Sequence, residues 1–411
     1  MVGDGVSGRQ RVRWIAILTA IALLGDSMIL IVLPLYWEEF GLTAIWQVGV
    51  LLSVNRLIRL PINPLVGWFY RTYERRTGFF IAMSLALVTT LAYGYVQGFI
   101  WLLIARILWG VAWAFIRLGG YLTVLDHSNS RNRGELIGLY NGLWGLGGLV
   151  GMLAGGIVVE QTSIAFVTTL FAGAACFSLP TLFKVIPRSV SEQVRDKTDG
   201  KGDWFSIHTG SILLLSFTTG LVIFGVFATT LSPFVERMID DNWTWHGLVI
   251  GAATVAGLIQ AVRWAWDPFV APMVGKRLDR MRTKGPVVFS MLLMIASLFF
   301  IAGSVHDFVL ASVFLLVFQL ISTIFVTLTD SLAAEVANQT DRVRMMTAHT
   351  IAIDLGAALG PLIGFLVVAT VHLSFLYFMT SSWLLLLAIY WCWYEVRKKE
   401  SEYSPVKNID A

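Results

Sequence analysis

Eight ionisable residues lie inside long apolar stretches of the chain, where a charge is costly to place. They are Asp26, Arg56, Arg59, Arg106, Arg117, Arg263, Asp267 and Asp354. A charge at the centre of a membrane-spanning helix costs about 2.5–3.5 kcal/mol on insertion scales. Such residues persist when they pair with each other or line a water-filled cavity. These eight side chains are therefore the first candidates for chemistry in this chain.

Two of them, Asp26 and Asp354, are candidate proton carriers. Asp26 lies near the middle of the first apolar stretch, and Asp354 lies in the eleventh without a neighbouring partner. Burial favours the neutral form of a carboxyl group and a nearby arginine favours the charged form, so an arriving substrate can switch its protonation. In the structural alternative, Asp26 forms a permanent ion pair with Arg56 or Arg59. Both interpretations stay open at this point.

A candidate substrate site lies on one face of the fourth stretch. The spacing that places side chains on one helix face relates Arg106, Trp113 and Arg117. Two guanidinium groups beside an indole suit an anionic, partly apolar ligand, because arginine binds carboxylate or phosphate through paired hydrogen bonds. Arg56 and Arg59 complete the predicted substrate site. In the alternative interpretation, Arg117 pairs with Glu135 and Arg106 binds helix carbonyls.

The signs of these charges bear on the substrate. The apolar stretches of the first half hold four arginines against Asp26, an excess that an anionic or zwitterionic ligand would balance. Arg263 and Asp267 are four residues apart and can neutralise each other on one helix face. We therefore interpret that pair as structural.

The elements that must position these residues are membrane-spanning helices. Apolar residues make up 56% of the 411 residues and charged residues 14%, against roughly 25% charged in soluble domains. Stretches of roughly 20 apolar residues, enough to cross a bilayer, occur at 14–36, 44–69, 76–97, 99–122, 135–159, 164–186, 209–232, 244–272, 286–304, 307–330, 343–370 and 373–396. The longest connection, the polar segment 187–208, divides the chain into predicted six-helix bundles at 1–186 and 209–411.

The placement of lysine and arginine predicts the topology. With the N-terminus inside, most basic residues fall in cytoplasmic segments, and Arg237 is the exception on the opposite side. By the positive-inside rule both termini are cytoplasmic, in a multi-pass protein of the cell membrane. The basic residues do not form a nucleic-acid-binding face.

The chain also contains a repeat of half its length. Residues 64–76 read PLVGWFYRTYERR and residues 272–284 read PMVGKRLDRMRTK, an offset of 208 residues. A second pair of passages is offset by 209 residues and contains Gly147, Gly151, Gly155 and Gly156 in the first copy and Gly356, Gly360, Pro361 and Gly364 in the second. Small residues at this spacing allow helices to pack closely, here expected between the halves. Two similar halves of apolar helices are typical of secondary transporters.

These passages resemble motifs of the major facilitator superfamily, in the style of drug/proton antiporters. Its gating motif, G-x-x-x-D-R-x-x-x-[RK], is matched in the second half by Gly275, Asp279, Arg280 and Lys284. The first-half copy keeps Gly67 and Arg76 but has Arg71 in place of the aspartate. The resemblance implies twelve helices in two bundles. It also implies a cytoplasmic gate in which Asp279 carries more of the gating role than the first-half copy of the motif.

Arg106 and Gly110 resemble the motif of the family's fourth helix, and the glycines of the fifth stretch resemble the antiporter motif with Met152 in the proline position.

Three functions stay open. The resemblance favours a proton-coupled exporter of a small amphiphilic or anionic compound, working by alternating access as a monomer. A proton symporter that imports an anionic nutrient is the first alternative, and a transport-inactive receptor or scaffold is the second. No ATP-binding loop, nucleophile–base motif or metal-ligand cluster is apparent, and His349 stands alone in its stretch. We therefore expect no enzyme activity, metal or cofactor.

Overall fold

The computed structural model describes residues 7–186, 206–236, 244–245, 248–249, 252–305, 307–370 and 372–403. The first half contains α1 (Gly8–Leu35), α2 (Ile45–Leu57), α3 (Arg59–Thr72), α4 (Arg75–Tyr95), α5 (Phe99–His127), α6 (Arg133–Gln161) and α7 (Ile164–Val185). The second half contains α8 (Ile207–Thr219), a π-helical segment (Gly220–Phe227), α9 (Ala228–Glu236), α10 (Ala252–Arg280), α11 (Gly285–Ser304), α12 (Phe308–Gln339), α13 (Arg342–Thr370) and α14 (Leu373–Tyr403). Between α9 and α10, the strands β1 (Thr244–Trp245) and β2 (Leu248–Val249) form an antiparallel pair.

The all-helical, twelve-span fold predicted from the sequence is confirmed. The second span is divided into α2 and α3, and the seventh consists of α8, the π-helical segment and α9. Nine helical segments within the described ranges are long and apolar enough to cross a membrane. The other three predicted spans, α2–α3, α10 and α13, all carry charged residues in their interiors. Most of the predicted linker, 187–205, lies outside the described residues.

The eighth span differs from its prediction at both ends. The sequence predicted 244–272, whereas α10 begins at Ala252 and continues to Arg280, and 244–249 contains the strand pair. Threonine and tryptophan are β-favouring residues, which accounts for a strand pair before the helix. At the other end, the polar residues after 272 extend the helix, because a helix in water can continue beyond an apolar stretch.

Helix packing places the halves side by side. In the first half, α1 packs on α6 and α4 packs on α7 and α5; in the second, α11 packs on α14 and α13 on the π-helical segment. The halves meet where α6 packs on α10 and α3 on α13. Large apolar side chains project outward, among them Phe177, Phe269, Leu386 and Ile389. An apolar exterior is what lipid requires, so the polar residues of the spans are directed inward.

Candidate functional site

A buried ion pair joins α1 to α5. The Arg106 guanidinium donates from Nη1 to the Asp26 carboxylate, and its Nε donates to the Leu51 carbonyl oxygen 3.0 Å away. The Asn55 amide lies 3.4 Å from the same carboxylate. Arg106 is 1% exposed and Asp26 is 8% exposed. Arg106, predicted to bind substrate, is thus held by a carboxylate of its own half.

A second buried pair joins the two halves. On α3, Arg59 Nη1 lies 3.1 Å from one Asp354 oxygen, and Asn63 Nδ2 donates to the other at 3.0 Å. Asp354 therefore has partners on another helix, although the sequence offered none nearby. The proposed pairing of Asp26 with Arg56 or Arg59 is wrong in this structure, because Arg59 faces α13 and α5 supplies the partner of Asp26.

Local backbone irregularity positions Arg56 and Arg59. The helix breaks at Ile58, between α2 and α3, and Pro61 follows three residues later. Because proline has no N–H and crowds the preceding turn, it favours such a break. Before the break, at the end of α2, Arg56 Nη1 donates to the carbonyl oxygens of Phe224 in the π-helical segment (2.7 Å) and Ala357 in α13 (3.1 Å). Arg56 therefore ties the broken second span to the second half.

A row of indole rings crosses from one half to the other. Trp113 of α5 lies 5.3 Å, centroid to centroid, from Trp144 of α6, which lies 5.5 Å from Trp264 of α10. One turn beyond Trp113, the Arg117 guanidinium lies 5.9 Å from the ring centroid of Tyr121. The predicted alternative for Arg117 is wrong, because Glu135 pairs with Arg9 at 3.0 Å.

Arg263 and Asp267 lie together on α10, with Arg263 Nε 3.9 Å from Asp267 Oδ2. The hydroxyl of Thr323 donates to the Asp267 carboxylate. The Arg263 guanidinium also lies 5.4 Å from the ring centroid of Phe224. These contacts fit the structural interpretation of the pair.

Sequence reasoning missed one buried cluster. His349 of α13, which was expected to be alone, has Nε2 3.0 Å from Asp330 Oδ1 of α12. The other oxygen of Asp330 accepts from Tyr121 of α5 (2.8 Å) and Asn141 of α6 (2.5 Å). Asp330 is 1% exposed and His349 is not exposed. A signal was available, because both residues lie at similar depth from the short α12–α13 connection.

This cluster changes the charge balance that suggested an anionic substrate. Two of the three excess arginines of the first half face carboxylates of the second: Arg59 pairs with Asp354, and Arg117 lies close enough to Asp330 for electrostatic attraction. The third, Arg56, donates to carbonyl oxygens of the second half. The charge count within one half therefore overstated the need for an anionic ligand, because it left out the carboxylates across the interface.

Charged contacts also tie the halves at one end of the bundle. The Asp279 carboxylate, in the last turn of α10, accepts hydrogen bonds from the backbone N–H groups of Gly134 (2.8 Å) and Glu135 (3.0 Å) at the N-terminus of α6. Arg71, at the repeat-related position on α3, pairs with Asp341 beside the start of α13. Arg71 thus takes part in a contact between halves even though it replaces the expected aspartate.

Among the other predicted gating residues, Arg76 and Lys284 contact their own halves, Arg280 faces outward, and two glycines lie between the halves. Arg76 donates to two carbonyl oxygens at the end of α7, at 2.7 and 2.8 Å. Lys284 Nζ lies 2.8 Å from Glu335 of α12, and Arg280 is exposed. Gly67 and Gly275 lie at the interface between halves, where α3 approaches α13 and α10 approaches α6.

Comparison with known proteins assigns the family. A family model described as the Major Facilitator Superfamily matches residues 15–267 and 253–409. The chain belongs to this superfamily. It is similar to the "Multidrug resistance protein MdtG" of Serratia proteamaculans (strain 568), with 26% identity over 397 residues, covering 89% of each chain. The protein of the same name from Proteus mirabilis (strain HI4320) is 25% identical over 381 residues, covering 87% of this chain and 89% of the relative.

Solved structures show the same fold. The human organic anion transporter MFSD10 (TETRAN) superposes with a TM-score of 0.73 at 15% identity, covering 93% of this chain and 99% of that one. The proton:xylose symporter XylE, bound to 6-bromo-6-deoxy-D-glucose, gives a TM-score of 0.74 at 12% identity, with coverages of 93% and 94%. As a major facilitator protein, this chain is a multi-pass membrane transporter of a small molecule.

The repeated glycines of this major facilitator chain pack helices within each half. Gly147, Gly151 and Gly155 of α6 approach Ala20, Leu24 and Met28 of α1, and Gly356 and Gly360 of α13 approach Phe217 and Gly225. Gly156, Pro361 and Gly364 lie on the same two helices. The expectation that these glycines pack one half against the other was wrong. That contact is made by Gly134, Gly138 and Gly142, which approach the backbone of α10.

Proposed function

We propose that this transporter exports small amphiphilic compounds from the cell in exchange for protons, by alternating access. The observation that supports it most is the buried Asp354–Arg59–Asn63 contact between the halves. Alternating access requires contacts that hold the halves together in one state and release them in another. A charge-assisted contact of this kind is weakened when its carboxylate binds a proton.

Two carboxylates divide the proposed coupling between them. Asp354 links proton binding to the separation of the halves, because its partners belong to the other half. Asp26 is held within one half by Arg106, so its protonation changes the charge beside α2 without breaking a contact between halves. In this proposal Arg106 acts through Asp26, and its direct contact with substrate becomes a secondary role.

The proposed substrate class follows from the row of indole rings. Trp113, Trp144 and Trp264 present aromatic surface where the halves meet, which suits a flat, partly apolar molecule. The relatives named multidrug resistance proteins are consistent with this class. Arg117 and Arg56 remain the proposed contacts for a polar or anionic group on such a molecule.

Transport by purified protein in liposomes tests the direction of coupling. With a pH gradient and either the cationic dye ethidium or the anionic dye 8-anilinonaphthalene-1-sulfonate, an antiporter accumulates the dye on the acidic side in any orientation. A symporter accumulates it on the alkaline side, and a transport-inactive receptor does neither. Accumulation on the acidic side supports export; either other result refutes the proposed mechanism.

Substitution of the carboxylates tests their assignment. We expect Asp26→Asn and Asp354→Asn to reduce gradient-driven accumulation by about 5- to 150-fold, the range of ordinary coupling between two sites, while dye exchange without a gradient persists. Arg106→Ala should resemble Asp26→Asn, whereas Arg117→Ala should weaken dye binding. Asp307→Asn, which alters a helix cap at Leu310, is the matched control and should leave accumulation unchanged. Full gradient-driven accumulation by both carboxylate variants would contradict the assignment.

A further inference from the structure

The buried cluster around Asp330 and His349 joins five helices from both halves. Asp330 lies on α12 and His349 on α13, while Tyr121 and Asn141 reach in from α5 and α6. On α8, Ser216 Oγ lies 2.8 Å from His349 Nδ1. These five residues lie six to nine positions from the ends of their helices on the side of the bundle where the Asp279 and Asp341 contacts lie, which is about 9–14 Å along a helix. The cluster is therefore interposed between that end of the bundle and the Asp26 and Asp354 pairs.

The hydrogen bonds around the imidazole accommodate two protonation states without rearrangement. Nε2 faces a carboxylate that can only accept, so it carries a proton in both states. Ser216 Oγ lies 2.7 Å from the Ile212 carbonyl and 2.8 Å from His349 Nδ1. When the hydroxyl donates to Ile212, it accepts from a protonated Nδ1, and when Nδ1 is unprotonated the hydroxyl donates to it instead. Rotation of one hydroxyl is therefore enough to bind or release a proton.

The two states differ in how strongly the halves attract each other. With neutral His349, the second half presents the charge of Asp330 to Tyr121, Asn141 and Arg117 of the first half. With the imidazolium form, that charge is neutralised within the second half, so the attraction of Arg117 is lost. The charged or titratable groups that face the cluster from packed elements are Arg117 and Tyr121 on α5, Tyr140 on α6, Lys284 before α11, and the Asp354–Arg59 pair further along α13.

We propose that His349, with Asp330 as its counter-ion, is a proton-binding site that loosens the contact between halves beside the Asp279 and Asp341 ties when it is protonated. Histidine is the side chain that proteins most often use to bind and release a proton near neutral pH. The inference rests on the proposed proton coupling. It assigns this chain a third titrating site, distinct from Asp26 and Asp354.

The distance between two spin labels across that end of the bundle tests the proposal without any substrate. The full-length protein carries Cys176→Ser and Cys392→Ser, with labels attached at Ser130→Cys and Thr283→Cys, two exposed positions on opposite halves. Pulsed electron paramagnetic resonance at a series of pH values then reports the proportions of short and long distances. We expect the ratio of long to short distances to rise at least about fivefold, the lower end of ordinary coupling, as pH falls from 8 to 5.

Substitution of His349 decides the outcome. His349→Gln keeps a donor to Asp330 and an acceptor for Ser216 but binds no proton, so the pH response should be smaller than in the parent, any remainder being due to Asp354. Asp330→Asn should give the long distance at all pH values, and Asp26→Asn should keep the response. Ser216→Ala, which removes an acceptor from the imidazolium, should move the midpoint to lower pH and serves as the second test if His349→Gln does not fold.

An undiminished pH response in His349→Gln, a midpoint unmoved by Ser216→Ala, or no response in the parent protein would overturn the proposal. The dye experiment separates this result from the proposed function. Failure of dye accumulation with an intact His349-dependent response would refute proton-coupled export and leave the proton site standing. Dye accumulation without a His349-dependent response would support proton-coupled export and overturn the proton site.

Discussion

The two contacts between halves at the Asp279 end of the bundle occupy repeat-related places and are built differently. At the α6–α10 contact, a Cβ added at Gly138 would lie 2.2 Å from the Ala271 carbonyl oxygen, so the backbones touch directly. At the α3–α13 contact, a Cβ added at Gly67 would lie 2.6 Å from Thr347 Oγ1, which is a side chain that can rotate. One contact is therefore rigid and the other can adjust.

The charged contacts at these two places also differ, and again the one at α6–α10 is the more firmly held. Asp279 accepts from two backbone N–H groups of the facing helix, at 2.8 and 3.0 Å. At the α3–α13 contact the carboxylate instead belongs to the helix that it caps. Asp341, just before α13, accepts from the Arg344 N–H at 2.9 Å, and Arg71 of α3 pairs with it. The side chains of Arg71 and Asp341 are 39% and 30% exposed, and exposed ion pairs contribute only about 0–1 kcal/mol. A repeat in sequence therefore does not produce equal contacts in the folded protein.

The largest effect is expected from Gly138→Ala. Adding a methyl group against the α10 backbone costs about 1–3 kcal/mol or more, so the ratio of long to short label distances should rise by about 5- to 150-fold. Gly67→Ala should change it far less, because Thr347 can turn away. Gly148→Ala on the same helix is the control, since its added carbon meets nothing closer than 3.6 Å. Equal effects at positions 138 and 67 would remove the distinction between the two contacts.

Asp279→Asn should have an intermediate effect. A hydrogen bond to a charged group contributes about 1.5–3 kcal/mol against about 0.5–1.5 for a neutral pair, so the same ratio should rise about tenfold. Turnover should fall more than dye binding, because in the proposed cycle the contact is made in one state only. Asp307→Asn, a cap within one half, is the control. Unchanged distances and unchanged transport would leave Asp279 without a gating role.

The smallest effect is expected at Arg71, and its sign is informative. Arg71→Asp restores the aspartate of the family motif, yet it should raise the ratio by up to about fivefold, because the new carboxylate faces Asp341 across a partly exposed gap. Adding Asp341→Ser, which removes the repulsion and keeps a helix-capping hydroxyl, should reverse the change. If Arg71→Asp alone strengthened closure, the relocated carboxylate would have no role in this contact.

Composition and apolar length predicted the membrane helices well, because lipid imposes the same requirement on every span. The gating motif given by the family resemblance includes Gly67 and Gly275, which lie at the interface between halves, whereas the glycines expected at that interface pack helices within each half. The boundaries of α10 were missed, because a helix that leaves the membrane is no longer limited by apolar length. The strand pair at 244–249 was missed because Thr244 and Trp245 also suit an apolar stretch.

The sequence by itself identified most of the charged side chains within the spans, since each stands out against an apolar background, but it missed Asp330 at the end of its stretch. Only the tertiary structure decided their partners. Arg106 belongs to Asp26, Arg59 to Asp354 and His349 to Asp330, and each pair joins residues that are 19 to 295 positions apart. The physical reason is that a buried charge must be neutralised within a few ångströms. Which residues come that close depends on how the helices pack, and the spacing of residues along one helix does not determine that packing.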